Sequence, residues 1–386
     1  MTTKSNSPHR WFARFSAAAV LRRGALLAMI PMIAALSSCA GGGLGYYWQS
    51  VSGHLALMRG SRPIPEVIAD PATKSEIRRK LVLAKAARAF AVSALSLPDN
   101  GSYTQYAALD RPFVLWNVFA ADELSLKLKT WCFPVAGCIG YRGYYRQDDA
   151  KAFAASLGDQ VDVRVGGVPA YSTLGWFDDP LPSPVLRYPD TEIARLIFHE
   201  LAHQVVYLKG DSTFNESFAT AVETVGVERW LTHREALDND PRPRQTYAAH
   251  SQRKKDFLGL LLAARARLEA IYDGSGSVAS KRAGKQATFD WLRQEHQRIR
   301  ETRWSGYSGY DRWFDQPLGN AHLAAVGAYN DRVDAFLGML SEVDGDLKKF
   351  FALAREVAGL EPEQRKHRLN AWHTTSAGLT RGSTSP

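Results

Sequence analysis

The residues with the most chemistry to offer stand together at His199-Glu200-Leu201-Ala202-His203. On an α-helix, side chains four positions apart share a face, so both imidazoles can reach one ion. Two neutral imidazoles suit Zn²⁺, at N–Zn distances of about 2.0–2.1 Å. Glu200 projects beside them, near the ion without binding it, where it can take a proton from a water the ion holds. A catalytic zinc site has three protein ligands and one open position. The candidate for the third ligand is Glu216, in Phe214-Asn215-Glu216-Ser217-Phe218-Ala219-Thr220-Ala221-Val222-Glu223. A short loop, Gly210-Asp211-Ser212-Thr213, would turn the chain back before it. Glu223 lies two turns along the same face and can accept a hydrogen bond from a ligand imidazole.

These side chains need rigid elements. A helix over about 191–209 has a start signal at Pro189-Asp190 and a stop at Gly210. Ile193, Leu196, Ile197, Phe198, Leu201, Val205 and Val206 cover nearly all its sides, so it is expected to be buried. Polar groups inside such a helix need partners, and a metal supplies them. A second helix over 214–234 would carry Glu216 and Glu223. Further helices are expected at about 246–272, 278–303, 320–340 and 344–358, and residues 46–97 read as mostly helical. Residues 103–188 are rich in aromatic residues, Val, Gly and Pro. They read as short, mostly antiparallel strands and loops, among them 113–116 and 161–165. The fold class is α+β, a small antiparallel sheet whose edge lines the cleft beside a predominantly helical body. The main domain would span 46–373, and 374–386 would be a disordered tail.

The chain has 386 residues, 48 Lys+Arg against 39 Asp+Glu, and a formal charge of +9. The first 38 residues hold five of the basic residues and no acid, so the remaining 348 carry only +4. That weak excess argues against a nucleic-acid partner. Arg22-Arg23, the apolar run Gly24–Leu36 and a small-residue stretch form the three regions of a signal peptide over 1–38. Leu36-Ser37-Ser38-Cys39 looks like a bacterial lipobox, in which the signal is cut before Cys39 and its thiol carries a lipid. Residues 39–45 would be the lipidated cysteine and a Gly-rich tether. Ala40 after the cysteine points to the outer membrane, on its periplasmic side. The other two cysteines, Cys132 and Cys138, are close enough in a Pro- and Gly-containing stretch to form a disulfide in that oxidising compartment.

His-Glu-Leu-Ala-His followed by Asn-Glu-Ser-Phe-Ala-Thr-Ala-Val-Glu resembles the gluzincin metallopeptidases. Most of the mature chain resembles the proteobacterial lipoproteins called putative aminopeptidases. The likeness includes Trp131-Cys132-Phe133-Pro134 with Cys138, Tyr141-Arg142-Gly143-Tyr144, and Asn320-Ala321 with Tyr329-Asn330. It implies a gluzincin-like body, Zn²⁺ on His199, His203 and Glu216, Glu200 as base, and peptide substrates. Gluzincins also place a Tyr or His donor to the oxyanion beyond the third ligand. Tyr329 is the first choice, ahead of Tyr307, Tyr310 and His322. The aminopeptidase N relatives hold the substrate amine with a strand glutamate. The stretch 165–177 has none, and Asp178 or Asp179 could take that role. The function expected is a lipid-anchored zinc aminopeptidase at the cell envelope. The alternatives are a non-catalytic, zinc-containing, peptide-binding lipoprotein, and an endopeptidase or other hydrolase using the same site. Glu200 favours catalysis, since a structural zinc has no use for it.

Overall fold

The computed structural model describes residues 43–134, 137–330 and 332–381. Contacts divide the chain into two units, Met1–Trp48 and Gln49–Pro386. The signal segment and Cys39 lie outside the described residues. Of the first unit only residues 43–48 are described, and they begin a helix. Among the described residues no helix is long and apolar enough to cross a membrane.

The chain opens with helix α1 (Leu44–Arg59), strand β1 (Ser61–Pro63), the short α2 (Ile64–Ala69) and the alanine-rich α3 (Ser75–Leu95). Helix α3 stops at Ser96, which takes the left-handed conformation (φ 56°), two residues before Pro98. A stretch of short strands follows: β2 (Gln105–Ala107), β3 (Leu115–Asp122), β4 (Trp131–Phe133), β5 (Gly137–Ile139) and β6 (Arg142–Tyr144). Helix α4 (Gln147–Ala155) interrupts it where strands and loops alone were expected. Asp148 and Asp149 sit in its first turn, where carboxylates favour a helix start. Its Phe153 packs on Trp131 and Tyr144 at 5.9 and 5.6 Å between ring centroids. Strands β7 (Val161–Val168) and β8 (Leu181–Pro182) complete this part.

Strand β3 is the centre of the principal sheet, antiparallel to β6 on one side and to β7 on the other. Side chains alternate across a strand. Leu115, Asn117 and Phe119 therefore share one face with their β7 partners Val168, Gly166 and Arg164. A second sheet pairs β1 with β2 antiparallel and β2 with β8 parallel, and β4–β5 is a separate hairpin. Cys132 and Cys138 are directly opposite in that hairpin and joined by a disulfide.

From Asp190 onward the chain is helical: α5 (Asp190–Ala202), α6 (Ser212–Asp238), α7 (Arg242–Asp273), α8 (Val278–Thr302), the single turn α9 (Asp311–Phe314), α10 (Asn320–Asn330), α11 (Val333–Glu342), α12 (Leu347–Ala358) and α13 (Pro362–Arg381). The segment expected as one helix over 320–340 is thus two. Helix α13 runs through part of the stretch from 374 onward expected to be disordered, and residues 382–386 lie outside the described ones. Helices α3, α5, α6, α11, α12 and α13 share one apolar core, in which Phe198, Phe214, Phe218, Phe336 and Phe350 are fully buried. Gly226 of α6 lets α5 approach closely. A methyl there would meet Phe198 at 2.9 Å and Leu95 at 3.0 Å. The α7–α8 hairpin has its own apolar cluster around Leu261, Leu268, Phe289 and Leu292. Its basic residues alternate with these buried positions at helical spacing.

Candidate metal centre

Helix α5 carries His199 and Glu200 and ends at Ala202, earlier than expected, with His203 as its C-cap. The last backbone bonds tighten, Gln204 N to Leu201 O and Val205 N to Ala202 O, and the chain leaves the helix axis. The side chain of Asn215 then clasps the turn. Its Oδ1 accepts from Leu208 N at 2.7 Å and its Nδ2 donates to Leu208 O at 2.8 Å. Asp211 caps α6 by accepting from Phe214 N. This short connection folds α6 back along α5 and brings Glu216 against the two imidazoles.

The geometry is compact. His199 Nε2 and His203 Nε2 are 3.2 Å apart, His199 Nε2 and Glu216 Oε2 3.3 Å, and His203 Nε2 and Glu216 Oε1 3.8 Å. Three ligand atoms about 2.0–2.1 Å from a tetrahedral ion lie roughly 3.3 Å from one another. The donor set therefore fits a small divalent cation, and one atom from each residue falls within a span of 4.8 Å. The electrostatics agree. Burial alone would depress the His199 pKa, yet Glu216 and Glu223 outweigh it and push it up to about 10. A position that draws a proton onto an imidazole this strongly is one that attracts a cation. Burial pulls His203 down to about 4, so it is neutral and has a lone pair to give.

Glu223 Oε2 accepts from His199 Nδ1 at 2.9 Å, which leaves Nε2 facing Glu216 and His203. Burial works against the charge on Glu223, but Arg195 and His199 hold its pKa near 2. Arg195 donates to Glu223 and to Glu192, at 2.6 Å each, and Lys254 stands 3.8 Å from the other oxygen of Glu223. Arg195 escaped the sequence reading, although its place one turn before His199 on the same helix was a usable signal. Glu200 is buried. Burial is the main reason its pKa rises to about 7.

Glu200, the two histidines and Glu216 open onto a cleft of about 530 Å³. Its opposite wall is the face of the β3–β7 sheet, and not merely the sheet edge that was expected. Helix α10 contributes Ala325 and Val326 to the lining. Tyr329 follows on the same helix, and its side chain lies outside the described residues. The other oxyanion candidates are elsewhere. Tyr310 stacks on Phe257 at 4.3 Å, Tyr307 lies under the Arg253 guanidinium, and His322 Nδ1 accepts from Gly319 N. None of these three is among the described residues that line the cleft. Asp179 is buried and accepts from both the backbone and the hydroxyl of Thr173, and neither it nor Asp178 is among the described lining residues. Residues the sequence did not single out do line it, among them Asn117, Arg164, Tyr171 and Tyr207. The Tyr171 hydroxyl is engaged by Tyr145 and by His54.

A family model described as "Putative aminopeptidase" matches residues 45–369. The chain belongs to this putative aminopeptidase family. No curated protein and no solved structure matches the chain.

Proposed function

We propose that the protein is a zinc-dependent aminopeptidase of the cell envelope. One observation carries the reading. Three donors converge at ligand spacing, and a buried carboxylate with a pKa near neutrality stands beside them on the same cleft. His199, His203 and Glu216 are the residues that would hold the ion. A Zn²⁺ bound there supplies Lewis acidity toward a carbonyl oxygen and makes water more acidic.

Every remaining task falls to the chain's own groups. Glu200 takes a proton from water on its carboxylate and returns it to the departing amine nitrogen. A pKa near 7 suits both transfers. Glu223 fixes the His199 ring through Nδ1, and Arg195 keeps Glu223 ionised. The apolar part of the cleft wall, Leu115, Phe119 and Val168, keeps bulk water from the scissile bond. Tyr329 is assigned as oxyanion donor from the family resemblance. The segment 1–38 serves export, and a lipid on Cys39 holds the protein on the outer membrane with its cleft in the periplasm. The expected substrates are peptides, not nucleic acid.

The test joins metal analysis to product analysis. Purified wild type should hold one zinc per chain and Glu216→Ala much less; equal zinc in both would remove Glu216 from the ligand set. Wild type given a peptide library should release amino-terminal residues, as read by mass spectrometry. Products cut only internally would replace the aminopeptidase reading with an endopeptidase one.

A further inference from the structure

The chemistry above leaves Asn117 in the cleft without a task. Asn117 stands in mid-strand on β3, on the sheet face that lines the cleft. It is only 8% exposed, and among the described residues its Oδ1 has no hydrogen-bond partner. An unpaired buried amide is costly, and native structures normally satisfy it.

Its neighbours explain how it stays unpaired. Asn117 is opposite Gly143 on β6 and opposite Gly166 on β7. Neither neighbour has a side chain to cover or bond the carboxamide. A methyl on Gly143 would come within 3.1 Å of Asn117 Oδ1, so that position must stay bare to leave the amide in place. A methyl on Gly166 would have the Arg164 guanidinium as its nearest neighbour, at 3.6 Å. The row Gly143–Asn117–Gly166 therefore sets one carboxamide between two residues without side chains, and of the three Asn117 and Gly166 line the cleft.

The unpaired atom is an acceptor, so it calls for an N–H or O–H donor, and on a peptide substrate the main-chain N–H is the donor present at every residue. The Phe119–Arg164 pair lies next along the face, with the guanidinium over the Phe119 ring. We propose that Asn117 binds a main-chain peptide group of the substrate, and that Gly143 and Gly166, having no side chains, leave its carboxamide free of a cross-strand partner. The contact reads backbone and not side chain, so it anchors peptides of varied sequence. The proposal deepens the peptidase reading and rests on it for the nature of the ligand.

The test is a binding measurement on the full chain carrying Glu200→Gln, so that bound peptide is not consumed. Fluorescently labelled oligoalanine peptides are titrated as the all-amide form and as a series with one amide replaced by an ester. One ester position should weaken binding to this parent about tenfold. Adding Asn117→Ala should weaken the all-amide peptide by a similar factor and abolish the penalty at that position, with zinc content unchanged. Gly143→Ala should also weaken the all-amide peptide. The proposal is overturned if no ester position weakens binding to the parent, or if the same penalty persists after Asn117→Ala. Turnover by the wild-type chain is scored separately. A wild type that cleaves no peptide but shows this binding pattern would end the peptidase reading and leave the Asn117 contact standing.

Discussion

At the residue scale, two carboxylates on adjacent helices have opposite fates because their neighbours differ. Glu200 faces the cleft with burial as the main influence, and its pKa rises to about 7. Glu223 is equally buried but sits against Arg195 and the His199 ring, and its pKa falls to about 2. One can exchange protons near neutral pH and the other cannot. Glu200→Gln should lower kcat by roughly 10²–10⁴-fold while zinc content stays at the wild-type level, measured by steady-state kinetics beside metal analysis. Glu223→Ala should weaken zinc binding by roughly 10–100-fold, read from competition with a chelator. The candidate metal group was legible in sequence because helical periodicity alone aligns positions 199 and 203. Glu216 needed one further inference, a tight turn, and Asn215 supplies it by clasping Leu208.

At the scale of elements, the turn between α5 and α6 is braced from outside. Lys209 donates to Pro134 O at 2.7 Å, and Gly137 comes so close to Gly210 that a methyl on it would lie 2.9 Å from Gly210 N. Both Pro134 and Gly137 belong to the loop closed by Cys132 and Cys138. Replacing both cysteines by serine should cost about 2 kcal/mol on the loop-entropy model, read as a lower denaturation midpoint. The loop before β8 carries a pH dependence of its own. Burial raises the Asp179 pKa to about 6 despite two hydrogen bonds from Thr173. The folded chain therefore holds this proton more tightly than the unfolded chain. The associated stability is complete below about pH 4 and is lost as pH rises through about 6. Asp179→Asn has no such proton to lose. Its Tm should gain on the wild type between pH 4 and 8, measured by paired thermal melts, and an unchanged difference would contradict the assignment.

At the scale of the whole molecule, the helical half was legible and the cleft wall was not. Helix α5 announced itself by its apolar cover and its capping signals, though it ends at Ala202 because its last bonds tighten. Helix α4 was missed because a nine-residue amphipathic stretch among strands has too little periodicity to stand out. Asn117, Arg164 and Gly166 meet only through the β3–β7 register, which no local pattern reveals. Cys39→Ser should shift the protein from the membrane fraction to the soluble periplasmic fraction, scored by immunoblot after cell fractionation. The placement of the site residues along the chain has a further consequence. His199, His203 and Glu216 belong to one helix–turn–helix, with Glu216 only seventeen positions after His199. The cleft wall comes from β3 and β7, which end at Asp122 and Val168, well before His199, and α10 follows about a hundred residues after Glu216. Metal loading and catalytic competence should therefore part company when long-range assembly fails, and a preparation full of zinc can be inert.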